Sequence, residues 1–316
     1  MKNYKLIAFI LGVILVIVTS FVLGVGPFKK PSSTGTQDKK LQVITTLYPL
    51  YDFVKNIGQD NVEVTLLLPP GIEPHAFEPK PNDVIRINQA DVFVYTGKFM
   101  EVWAEDVLKG VTNKNLKAVD ASEGIKLILS EFHDEDEPVG SSDPHIWLDF
   151  GNAQIMVDSI TRGLAEKDPD NKDVYLARAA SYKKSFEKLD EKYKTTLMAC
   201  RINEVVYGGH YAFGYLAKRY GLNYVAAQGI APDSEPTAND MVSLVKQIKT
   251  DGIKYVFYEE LTSPKISQTL SKETGAQMLL LNAAHNVTKQ DMDSGVSFLS
   301  IMEENLTNLK TGLECE

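Results

Sequence analysis

Cysteine is nearly absent: Cys200 and Cys315 are the only two in 316 residues. No cysteine precedes Cys200, so lipid attachment at an N-terminal cysteine has no acceptor. In an oxidising compartment the two thiols are expected to pair and tie the C-terminus down. Two unpaired thiols, one on a frayed tail, are the alternative. The short catalytic signatures are missing too. The chain contains no HExxH, GxSxG, GxxxxGK[ST] or GxGxxG, which argues against a zincin, a serine hydrolase, a P-loop enzyme or a dinucleotide-binding enzyme. The expectation is that the chain is not an enzyme. Excess positive charge is missing as well. The net charge is −9, and residues 1–30 hold four lysines and no acid, leaving −13 on residues 31–316. An acidic body speaks against nucleic acid and is compatible with cations.

The N-terminus carries an uncharged apolar run from Leu6 to Phe28, flanked by Lys2 and Lys5 on one side and Lys29-Lys30 on the other. These 23 residues would make a helix of about 34 Å, enough to cross a bilayer. The run is long for a secretory signal, and only Gly24-Val25-Gly26 resembles a cleavage site. Residues 1–30 are therefore expected to anchor the body to the membrane on its extracytoplasmic side, with a cleaved signal as the alternative. Residues 31–40 (PSSTGTQDKK) are a polar linker.

From residue 41 the pattern alternates between strands and helices. LQVITTLYPLYDFVKNIG reads as a strand then a helix, VEVTLLLP and DVFVYTG as strands, and PNDVIRINQA and FMEVWAEDVLKGV as helices. Residues 131–144 (EFHDEDEPVGSSDP) are an acidic loop. Helices then cover about 151–167 and 170–199, the second long enough to act as a strut between lobes. Alternation resumes with strands NEVVYGG, LNYVAAQG, IKYVFYEE and AQMLLLN, helices between them, and a last helix at about 294–310. The halves echo each other, since GIEPHAFEPKPNDV (71–84) resembles GIAPDSEPTANDMV (229–242). The expected fold is α/β: two similar parallel-sheet α/β lobes, residues 41–150 and 201–316, joined by connecting helices over 151–200.

Histidine is rare but patterned. His75, His145, His210 and His285 are spaced by 70, 65 and 75 residues, two in each lobe, each at a strand end or in a connecting loop. His75 is held in a stiff stretch, GIEPHAFEP, whose prolines fix φ and push the preceding residues out of the helical region. In open α/β sheets ligands sit beyond the carboxyl ends of the strands. Two facing lobes would bring these rings to one cleft as four neutral nitrogen donors, a set suited to tetrahedral Zn²⁺. Cu²⁺, Ni²⁺ and Co²⁺ would also bind, whereas Mg²⁺, Ca²⁺ and Mn²⁺ prefer oxygen. His133, in the acidic run FHDEDE, is read as solvated and outside the site. Glu73, Glu78 and Asp149 are acids near these histidines that would have to serve as a base in any hydrolytic reading.

PGIEPHAFEP, DPHIWLD, GGHYAFGYLAKRYGL and a late strand ending in LLLN resemble the zinc and manganese solute-binding proteins of ABC importers, cluster A-I, over about residues 41–313. The resemblance implies two α/β lobes joined by a long rigid helix, with metal held between them and the first three ligands at His75, His145 and His210. The family pattern LNPLEGLT sets a glutamate against His285 of LNAAHNVT, so the fourth position departs from it. Manganese members tend to carry acids at the third and fourth positions, so histidine at both points to zinc, with Mn²⁺ kept as an alternative. The resemblance further implies a monomer that delivers metal to an ABC permease. A zinc-containing surface adhesin is the alternative function. The Leu6–Phe28 run stands where such proteins usually have a lipid-bearing cysteine.

Overall fold

The first lobe begins with β1 (Leu41–Thr45), whose last three residues are buried. It leads into α1 (Tyr48–Gly58), where Pro49 occupies the first turn and its missing N–H is no loss. Leu50, Phe53, Val54 and Ile57 repeat at helical spacing and form the buried face of α1. β2 (Val62–Leu66), α2 (Pro81–Gln89), β3 (Val92–Tyr95), α3 (Ala104–Gly110) and β4 (Lys117–Asp120) complete the lobe. The strand order is β2-β1-β3-β4, with every neighbouring pair parallel. The structure, a computed structural model, describes residues 40–129, 142–230 and 235–316. The Leu6–Phe28 run, His133 and most of the acidic loop lie outside the described residues. Among the described residues no helix is long and apolar enough to cross a membrane.

Two helices follow, α4 (Phe150–Lys167) and α5 (Lys172–Leu197). The second lobe then runs β5 (Glu204–Tyr207), α6 (Gly214–Tyr220), β6 (Asn223–Ala226), α7 (Ala238–Asp251), β7 (Tyr255–Tyr258), α8 (Lys265–Thr274), β8 (Gln277–Leu280), α9 (Lys289–Ser294) and α10 (Phe298–Gly312). Its strand order is β6-β5-β7-β8, again all parallel. The two sheets thus share one topology, as the internal echo implies.

The 26 residues of α5 make about 39 Å of helix, and α5 packs against both lobes. Phe186 stacks edge-on with Phe53 of α1 and lies 5.9 Å from Phe298 of α10. Tyr182 donates to Asp52 of α1 at 2.7 Å, and Tyr193 donates to the Met302 carbonyl of α10 at 2.6 Å. One apolar core therefore runs through both lobes and includes Phe53, Trp147, Phe150, Phe186, Phe257 and Phe298.

The sequence reading and the structure differ at four elements. β4 was not expected; its charged ends, Lys117 and Asp120, leave only Val119 buried and no visible alternation. α3 is shorter than FMEVWAEDVLKGV because Glu101 folds back to accept from the Thr96 and Gly97 amides, each at 3.0 Å. The first turn of the long helix is a separate 3-10 turn, Pro169–Asn171. The last helix starts at Phe298 rather than about 294, where Ser297 caps it by accepting from the Ser300 amide at 3.1 Å, and the short α9 before it, ended by Gly295 (φ +76°), was not expected.

Cys200, just past α5, is bonded to Cys315, just past α10, across 115 residues of sequence. Arg201 and Ile202 also donate their amides to the Glu314 and Leu313 carbonyls. Thiol labelling of the unfolded, non-reduced protein should therefore find no free thiol. Closing a loop of this length is worth roughly 4–5 kcal/mol by chain entropy. Cys315→Ser should lower unfolding free energy by up to that amount in a denaturant titration, and unchanged stability would remove the bond from any structural role.

Candidate metal centre

The four histidines meet between the lobes. His75 is carried by the loop between β2 and α2, His145 by the segment between β4 and α4, His210 by the turn after β5, and His285 by the loop between β8 and α9. One ring nitrogen from each lies within 4.8 Å of all the others. The six ring-centroid separations run only from 4.9 to 5.7 Å, the near-equality of a tetrahedron. The Nε2 of His145 is 3.2 Å from those of both His75 and His210. Bonds of about 2.0–2.1 Å to a tetrahedral zinc put neighbouring donors about 3.3–3.4 Å apart. The donor set therefore matches that ion in number and chemistry, and the His75–His145 and His145–His210 pairs match it in spacing. His285 Nε2 is buried without a hydrogen-bond partner, which a metal would satisfy. His145, His210 and His285 are buried and His75 is partly exposed.

Acids hold the outer faces of the rings. Asp143 Oδ1 lies 2.8 Å from His145 Nδ1 and also accepts the His145 amide at 2.9 Å. Glu259 Oε1 lies 2.8 Å from His210 Nδ1, and its Oε2 accepts the His210 amide at 3.1 Å. The hydrogen-bonded Asp143–His145 pair sets a proton on His145 Nδ1 and turns its Nε2 lone pair inward. Gly209 makes the second pair possible, because a Cβ there would stand 2.3 Å from Glu259 Oε2. The third acid, Glu260, is 3.9 Å from His285 Nδ1, too far for a hydrogen bond. It accepts the Ala283 amide at 3.1 Å instead. Its carboxyl is pushed up to about 8 by burial and then by Glu259.

The loop bearing His285 is braced from several sides. Ala284 adopts a left-handed backbone, φ +57°, which for a residue with a Cβ costs about 1–2 kcal/mol. Asn282 Oδ1 compensates by accepting the Ala284 amide at 2.7 Å. Trp147, two residues past His145, donates its indole N–H to the Ala283 carbonyl at 2.8 Å and packs against the His145 and His285 rings.

Of the acids considered for a base, Asp149 has other work. Asp149 caps α4, accepting from the Gly151 and Asn152 amides, and pairs with Arg219. Glu259 and Glu260, at the end of YVFYEE, stand behind His210 and His285 rather than among the donors. Sequence reasoning did not single out Asp143, Trp147 or Asn286. Asp143 and Trp147 sit two residues either side of His145 in DPHIWLD, a visible signal; Asn286 left none.

The fold and site together define a two-lobed protein that holds a transition-metal ion between its lobes. Residues 43–312 match the family described as "Zinc-uptake complex component A periplasmic", and the chain belongs to it. The high-affinity zinc uptake system protein ZnuA of Bacillus subtilis is 37% identical over 95% of the chain and 97% of its own length. Zinc-binding protein AdcA of Streptococcus pyogenes is 34% identical over 86% of the chain, which spans 56% of that longer relative. Among solved structures, the Zn(II)-bound ZnuA-like domain of Streptococcus pneumoniae AdcA superposes with a TM-score of 0.76 at 36% identity, covering 87% of this chain and 99% of that one. The laminin-binding protein Lmb of Streptococcus agalactiae, described as a bifunctional protein with adhesin and metal transporting activity, gives 0.79 at 30% identity, covering 87% and 100%. The family and ZnuA are described by zinc uptake, Lmb by metal transport and AdcA by zinc binding.

Burial holds the protonation of His75, His145 and His285 well below the usual imidazole value, with neighbouring histidines adding to the effect. The sign follows. In the unfolded chain these rings titrate near ~6.5, so the folded state binds fewer protons below that pH. Their contribution to stability is intact above ~6.5 and is lost as pH falls from there toward the lowered folded values. Proton competition for metal therefore begins lower than the ~6.5 of a free imidazole. An NMR titration of the metal-free protein should find these three rings still neutral at about pH 6; half-protonation near ~6.5 would contradict the burial.

Proposed function

We propose that this chain captures Zn²⁺ outside the cytoplasm and delivers it to an ABC-type permease, with His75, His145, His210 and His285 as the four ligands. The observation that carries the reading is the closed nitrogen tetrahedron, with donor separations of 3.2 Å about His145. The zinc-uptake and zinc-binding descriptions of its relatives support the same cargo. Four nitrogens with no oxygen among them favour Zn²⁺ over Mn²⁺, while Cu²⁺, Ni²⁺ and Co²⁺ compete through availability.

The remaining parts belong to the same proposal. Residues 1–30 tether the body to the outer face of the membrane, residues 31–40 give it reach, and lobes 41–150 and 201–316 hold the ion between them, joined by the helices of 151–200. The protein acts as a monomer. Its cargo is exchangeable, which separates it from the second reading, a surface adhesin in which zinc is structural. The adhesin description of Lmb favours keeping that second reading. A chelator should strip zinc from a transport site with the fold intact, whereas a structural zinc resists or takes the fold with it.

His285 is the most informative ligand to change, because it stands where the family pattern has an acid. His285→Ala should weaken Zn²⁺ binding at least tenfold, about 1.4 kcal/mol. His285→Glu should retain most zinc binding and improve Mn²⁺ binding relative to wild type, since carboxylate oxygen suits both ions. Competition titrations of the three proteins at one pH and salt decide it. Undiminished zinc affinity in the alanine variant would remove His285 from the ligand set.

A further inference from the structure

His75 and His285 belong to different lobes, yet their loops are held together by one side chain. Asn286 follows His285 directly and is fully buried. Its Nδ2 donates to the Pro69 carbonyl at 2.7 Å and to the Ile72 carbonyl at 2.9 Å, both on the loop that carries His75. Its Oδ1 accepts the amide of Val287 at 2.9 Å. Both amide protons are thus used across the lobe boundary and one acceptor position within the His285 loop, in a place where an unmade hydrogen bond is expensive. Two backbone bonds flank this contact. Gly71 donates to the Val287 carbonyl at 2.9 Å, and Tyr48 donates to the His285 carbonyl at 3.1 Å. The His285 ring lacks the 2.8 Å carboxylate contact that steadies His145 and His210, its own acid standing at 3.9 Å. Its aim therefore depends on how its loop is held.

We propose that Asn286 is a positioning residue for cargo retention: it locks the His75 and His285 loops into one unit, so that neither ring leaves the ion while the contact holds. This rests on the four-histidine reading above. Release then requires the two Nδ2 bonds to break, and the permease-facing event that frees zinc is separation of these loops. Asn286 touches no metal and acts only through the two rings.

The test is zinc release from the full-length protein in mild detergent, followed by stopped flow with excess chromogenic chelator. Asn286→Ala should speed release at least tenfold and leave the association rate within about threefold. Asn286→Asp is the second variant, in case the alanine variant folds poorly. It keeps the acceptor for Val287 but sets an oxygen against two carbonyl oxygens, and it should speed release at least as much. A general loss of stability would accelerate release in every background. Coupling through His75 predicts otherwise: Asn286→Ala should have less than a threefold effect in a His75→Ala background and its full effect in a His210→Ala background. Wild-type release from both Asn286 variants, or equal acceleration in both histidine backgrounds, would overturn the proposal. Zinc retention insensitive to His75→Ala and His285→Ala would instead unseat the four-histidine site itself.

Discussion

Four imidazoles sharing one small space can all be tolerated only if they stay neutral. Protonated rings at centroid separations of 4.9–5.7 Å would repel one another and lose their hydration. Burial holds His75, His145 and His285 toward the neutral form, and a neutral ring keeps a lone pair free for a common centre. Asp143 and Glu259 stand one layer out against the His145 and His210 rings, and Glu260 lies 3.9 Å from His285 without bonding it, none of them entering the donor set. Arriving zinc would thus meet nitrogen first and negative charge second. That order suits a borderline ion better than the hard, oxygen-seeking Mg²⁺ or Ca²⁺.

Holding such a centre between two lobes requires the lobes to be placed accurately. The aromatic ladder along α5 does this: Tyr182, Phe186 and Tyr193 bind α1 on one side and α10 on the other. The disulfide closes the far end, joining the exit of α5 to the exit of α10. With the lobes braced through one continuous core, large hinge opening would expose buried aromatic surface at high cost. Motion at the site then falls to the loops that carry the histidines, which are joined to the sheets but not part of them.

Much of this was legible in the residues. Apolar runs separated by amphipathic stretches marked seven of the eight strands, and the repeated GI…EP…ND pattern marked the duplicated lobe. The four ring-bearing positions stood out because histidine is scarce and each followed or preceded an element end. β4 escaped because an edge strand with charged ends shows no alternation, and α9 escaped because none of its six residues is buried, leaving no apolar face to read. The cysteine pair was expected from compartment and number alone, and the structure joins it.

What the sequence determined by itself was composition, periodicity and local stiffness: parallel α/β lobes, a long helix between them, and histidines at the edges where loops leave the sheets. Only the tertiary structure decided which atoms meet. Asp143 behind His145 was close in sequence, but Glu259 behind His210 is 49 residues away, and Asn286 reaches Pro69 across 217. Contacts at such separations arise from how two sheets pack about one helix. That packing depends on the summed fit of buried side chains and is written in no single stretch of the chain.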